Sequence, residues 1–277
     1  MASLSSRIPG ALAACALLGA AFWPATARAG ERELWSLWTL HAAAASNGQH
    51  EAVADACRRF EAADPESPFL PVSRGLAAWH RLAAGQIPQA QQILETMLTA
   101  TNAGPVAQAG ATMAQRWLTR LDHDSVKRAL RAYYAERVRF PNALSDLRVA
   151  GAAADLPMTD RWGKPWQYRL GHFRKVQGAA GQRYECESTV LGSGTDLAVA
   201  LRRPYAAGIG LVPRKMMAGD DQRPTVLFRI RDPPARDVVL TEGTAYESVS
   251  LAAAGPALLI LTDGDCWLVL PRPEKGE

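Results

Sequence analysis

Residues 156–171 read LPMTDRWGKPWQYRLG. Two Trp, one Tyr, two Pro and two Gly share those sixteen positions. Gly163 and Pro165 mark a chain reversal, with the glycine free to take a left-handed φ. Trp166 and Tyr168 stand two apart, which places them on one face of a following strand. The segment is therefore either a hairpin whose rings pack on a neighbouring element or an aromatic platform for a sugar or proline-rich peptide. The preceding residues favour packing. In residues 124–147, Asp124 or Ser125 offers an N-cap, and Val126, Leu130, Tyr133 and Val138 form an apolar stripe at helical spacing. Pro141 ends that helix, and Leu144 and Leu147 suit a short further turn. Trp166 and Tyr168 can cover the stripe; under the platform reading the aromatic candidates for partner contact are Trp162, Trp166 and Tyr134, Trp162 foremost.

Outward from this segment, the pattern predicts an α+β chain. Residues 1–29 have a basic start at Arg7, an apolar run of about sixteen residues, Pro24 and a final Ala27-Arg28-Ala29. They read as a signal peptide, with an uncleaved inner-membrane anchor as the alternative. Residues 30–121 form two helical hairpins with turn glycines at Gly48 and Gly85, 37 positions apart, and a capping helix. Their small residues Ala90 and Cys57 are spaced as in the tetratricopeptide repeat, which this array resembles. Trp35, Trp38, Trp79 and Trp117 follow helical spacing and read as core. Residues 122–203 form one helix and a small antiparallel sheet, 204–224 a linker, 225–273 a small all-β unit and 274–277 a disordered tail. Asp263-Gly264 marks a hairpin turn in the β unit.

The middle unit resembles the globular head of the type II secretion major pseudopilin. The matching positions are Tyr133, Phe140, Pro141, Leu144, Leu147, Leu156, Pro157, Asp160, Trp162, Gly163, Pro165, Trp166 and Tyr168. Gly192, Ser193, Gly194 and Asp196 follow in a later loop. The resemblance covers roughly residues 124–200. It implies a pseudopilin-like α+β head and secretion or pilus assembly proteins as partners. Two departures stand out. A signal peptide and helical hairpins occupy the place of the family's long assembly helix, so the chain is not an ordinary fibre subunit. The resemblance also implies a calcium loop at Asp196, but the downstream acidic ligands are missing, and a hard cation wants about six to eight oxygens. No cofactor is therefore expected.

Of the 277 residues, 48% are hydrophobic and 21% charged, a folded-protein composition. Without Arg7 and Arg28 the formal charge falls from +4 to +2, and no basic stripe with interleaved aromatics suggests nucleic acid. Export exposes Cys57, Cys186 and Cys266 to oxidation. Cys57 reads as a buried hydrophobe, while Cys186 and Cys266 lie in strand-like segments and are the candidate disulfide. His41, His50, His80, His123 and His172 form no zinc pattern. Ser193 lies between glycines but outside a G-x-S-x-G elbow. Asp122-His123-Asp124 reads as a helix start. These residues predict a non-enzymatic exported component of a type II secretion or pilus-like system. The alternative is a periplasmic binding module for a peptide or glycan.

Overall fold

Residues 31–99 form four helices, as their apolar spacing and turn glycines require. In the computed structural model these are α1 (Glu31–Asn47), α2 (His50–Ala63), α3 (Leu70–Ala83) and α4 (Ile87–Thr99). The structure describes residues 30–99, 104–149, 155–174, 180–206, 209–217, 223–230 and 235–273. The expected signal peptide and C-terminal tail lie outside these residues. Gly48 and Gly85 both take left-handed φ at the helix turns, where a side chain would be strained. Each helix packs on the next. Trp35, Trp38, Trp79 and Trp117 are all buried between them.

The next helix, α5, runs unbroken from Pro105 to Arg137. It passes through the expected boundary at residues 121 and 122. The Asp122-His123-Asp124 run is mid-helix, and its side chains have other partners. Asp122 pairs with Arg161, the His123 ring bonds to the Cys186 carbonyl, and Asp124 lies 3.6 Å from Arg128. Its first half packs on α3 and α4. Its second half carries the short α6 (Ser145–Val149) and the antiparallel pair β1 (Gln167–Arg174) and β2 (Ala180–Glu187).

A short 3-10 turn at Gly192–Thr195 leads into α7 (Leu197–Arg202). The chain then forms two antiparallel sheets. One contains β3 (Leu211–Met217), β4 (Thr225–Ile230) and β5 (Asp237–Thr241) in the order β3-β4-β5. The other contains β6 (Ala245–Tyr246), β7 (Val249–Ala254), β8 (Leu258–Thr262) and β9 (Trp267–Pro271) in sequence order. The segment expected as a linker thus supplies an edge strand, β3. Pro213 sits where its pairing slips, a position at which a missing N–H is tolerated.

Strand β8 explains how the layers stack. All five of its residues are buried, because both of its faces are covered. Leu258 and Ile260 join the helical core, whereas Leu259 and Leu261 meet Val226, Phe228 and Leu240 of the other sheet. Trp267 and Val269 of β9 also enter the helical core. Gly75 on α3 admits this contact, since a Cβ there would lie 2.4 Å from Trp267 Nε1. The C-terminal β unit is thus joined to the helices through a shared core. Glu31 at the start of α1 reinforces the joint by accepting the Ala257 N–H at 3.3 Å.

Candidate functional site

The opening segment is organised by one carboxylate. Asp160 is buried, and its Oδ1 accepts the backbone N–H groups of Trp162 and Lys164 at 3.0 and 2.9 Å. Its Oδ2 accepts the Ser188 hydroxyl at 2.8 Å. Gly163 takes φ +75° inside this loop, and Thr159 pairs with Pro165 across it. Arg161 then reaches Asp122, tying the loop to α5. The loop delivers Trp166 into a core with Val126, Leu130, Tyr133, Leu147 and Cys186.

Trp166 is only 6% exposed, and its indole N–H donates to the Pro157 carbonyl at 2.8 Å. It is a core residue and offers no free ring to a partner. Tyr168 packs on the same core and donates its hydroxyl to the Pro141 carbonyl at 2.7 Å. Trp162 is half-buried. Tyr134 is 39% exposed and is the most accessible of the three aromatic candidates.

Tyr134 belongs to a run of rings on the outer end of this unit. Its ring centroid lies 4.6 Å from that of Phe140, which lies 4.7 Å from that of Tyr184. Tyr168 stacks on Tyr184 at 6.4 Å. Arg131, Arg137 and Arg139 on the same stretch of chain are exposed. Arg137 lies over the Tyr133 ring, 4.9 Å from its centroid, a cation–π contact. Arg131 and Lys127 act on the Tyr184 phenol, although burial is the larger influence and holds its pKa above the usual value. Val138 between them is 76% exposed and sits at φ +57°, a left-handed conformation that strains a β-branched residue. The sequence reading named Tyr134 and missed the arginines. The signal was present in residues 130–140, which carry three arginines against one glutamate.

The candidate disulfide is not formed. Cys186 and Cys266 are free, buried thiols in separate cores, one beneath β1–β2 and one between the two larger sheets. Burial pushes Cys186 up to about 12, which suppresses thiolate chemistry. Asp196, the residue of the implied calcium loop, caps α7 through the Val199 N–H at 3.0 Å and pairs with Lys127. The Lys127 hydrogen bond holds its carboxyl below the ordinary value. An internal ammonium therefore already meets this carboxylate. Among the described residues, no three or more His, Cys, Asp or Glu side chains are placed to hold a metal ion.

Three histidines that are scattered in sequence meet inside the helical array. His41 Nδ1 lies 2.8 Å from His80 Nε2, and His80 Nδ1 lies 3.0 Å from His50 Nδ1. Trp38, Trp79 and the half-buried Tyr205 pack around them. Burial, then the neighbouring imidazoles, lowers His41 to about 3 and His80 to about 4. Both are neutral at physiological pH. His80 spends both ring nitrogens within the line, so it supports packing and has no lone pair left for a ligand. Ser193 is exposed on its turn, and no hydrogen bond joins it to a histidine among the described residues.

No helix among the described residues is long and apolar enough to cross a membrane. Compared with protein-family models, curated proteins and solved structures, the chain matches none of them.

Proposed function

We propose that the chain is a non-enzymatic, exported component or accessory of a type II secretion or type IV pilus-like system, acting through protein–protein contacts. One observation carries this reading. The second half of α5, the Asp160-organised turn and the β1–β2 pair pack into one core, and Tyr133, Leu144, Leu147, Leu156 and Trp166, residues on which the pseudopilin resemblance rests, all lie in it. The helical array adds a second contact surface, the usual role of stacked helical hairpins. The test is cross-linking of the tagged full chain in cells, followed by identification of what co-purifies. Recovery of secretion or pilus assembly proteins supports the reading. A monodisperse chain with no cross-linked partner overturns it. Burial of Trp166 counts against the alternative peptide- or glycan-binding platform. A tryptophan fluorescence titration with glycans and proline-rich peptides is expected to stay flat.

A further inference from the structure

We infer that the outer end of α5 is a docking surface for an acidic segment of a partner protein. This deepens the function proposed above and rests on it. Arg131, Arg137 and Arg139 are exposed along the last turns of α5 and just past its end, the same stretch that carries exposed Tyr134 and its ring neighbour Phe140. None of the three arginines lies within 4 Å of a carboxylate among the described residues, whereas Arg116, Arg120 and Arg161 are all ion-paired. The helix dipole accounts for a cation in the last turn. Arg137 fills that place. It does not account for Arg131, well over a turn earlier, or Arg139, beyond the helix end. The rings supply apolar area beside the unpaired guanidiniums, and aromatic residues with arginine are the residue types enriched at protein interfaces. Guanidinium forks match carboxylates bidentately, which selects Asp- or Glu-bearing chain over neutral peptide. Val138, between Arg137 and Arg139 in the chain, adds an exposed apolar residue held in a strained conformation, and such strain gathers at functional surfaces.

The full chain is titrated into a fluorescein-labelled short peptide of glutamates interspersed with leucine, and binding is followed by anisotropy. Arg131 and Arg139 make no hydrogen bond or ion pair among the described residues, so replacing them leaves the fold intact. The Arg131→Glu/Arg139→Glu double variant is expected to bind at least tenfold more weakly. Tyr134→Ala is expected to lose several-fold, and Arg131→Lys/Arg139→Lys to lose part of the affinity while keeping the charge. Unchanged binding by the charge-reversed variant overturns the proposal. Equal or tighter binding to phosphatidylglycerol vesicles or to duplex DNA, lost in the same variant, overturns the assignment to an acidic protein segment. Cross-linking in cells separates this proposal from the broader one. If the charge-reversed chain still recovers secretion components, the patch is wrong and the function stands. If the unaltered chain recovers none, the function fails even where the peptide binds.

Discussion

The two halves of α5 sit in cores of different size. The first half lies in a broad apolar core that α1–α4 share with β7, β8 and β9. The second half supports a small core capped by a two-stranded ribbon, an element that is marginal on its own. Arg116, Trp117 and Arg120 bond Asp265 beside the first half, while in the small core the directed bonds make up a larger share of what holds it. Asp160 binds its own loop and Ser188, Arg161 reaches Asp122, Lys127 meets Asp196 and Tyr168 bonds the Pro141 carbonyl. Small cores gain definition from satisfied polar networks, and they lose it abruptly when one member is removed. A large core averages its losses over many contacts.

Acid should separate the halves most clearly. His41 and His80 have folded pKa values near 3 and 4, below the unfolded value of about 6.5. Their contribution is therefore fully present above about pH 6.5 and is lost as pH falls toward 4. With two protons taken up on unfolding, the slope approaches 2.7 kcal/mol per pH unit, or about 5 kcal/mol between pH 6.5 and 4.5. Asp196 behaves differently. Its lowered pKa stabilises above the unfolded carboxyl value near 4 and is lost only below it. Urea midpoints measured across this range should fall steeply from pH 6.5. A His41→Phe/His80→Leu chain should flatten that slope. An unchanged slope in the double variant would show that the buried imidazoles are not its source.

Substitutions sharpen the same contrast. Trp267 is fully buried where the β unit meets α3. Trp267→Ala should cost about 4 kcal/mol and lower thermal stability across the whole chain, because it opens the shared core. Trp267→Phe also removes an indole N–H that has no partner among the described residues, so its cost should be about half as large. Calorimetry measures both. Asp160→Ala should cost about 3 kcal/mol by orphaning three donors, and the cost should fall on the small core under β1 and β2. Hydrogen exchange is the discriminating measurement. Amides of β1 and β2 should lose protection while those of α3 and β8 keep it, and Asn at 160 should restore part of the loss. A uniform loss would mean that the two halves of α5 unfold as one unit.

How much of this was legible in sequence depends on how local the cause is. Gly48, Gly85 and Gly163 punctuate turns through their own backbone freedom, and the structure places each at positive φ. Trp166, just before β1, and Tyr168 on it share one face by the strand period of two, and both meet the stripe of Val126, Leu130 and Tyr133. Val138, expected to continue that stripe, instead lies past the helix end in solvent. The α+β class follows from such signals. Asp122-His123-Asp124 misled because Asp is an ordinary cap, and the partners that keep it helical lie 39 and 63 residues away. The histidine line is equally non-local, since the helical hairpins bring together residues 30 and 39 positions apart. Cys186 and Cys266 looked alike as strand cysteines, yet the layer order sends them to different cores. Tyr134 was visible as a candidate, but its exposure depends on which face of α5 the hairpin covers.

The smallest expected effect tests whether strain at the end of α5 serves the proposed surface. Val138 occupies the position after the helix where glycine is the favoured residue, at φ +57° with its side chain in solvent. Its apolar contacts return little, while the left-handed conformation costs about 1–2 kcal/mol for a residue with a Cβ. Val138→Gly should therefore stabilise the chain by about 1 kcal/mol, read as a higher urea midpoint at constant slope. If the patch binds an acidic segment, the same variant should bind the labelled peptide more weakly, because it loses the exposed apolar residue between Arg137 and Arg139. Stability and affinity then move in opposite directions. A variant that is stabilised with unaltered affinity would make Val138 a tolerated imperfection of the helix end. One that is not stabilised would remove strain from the account of this surface.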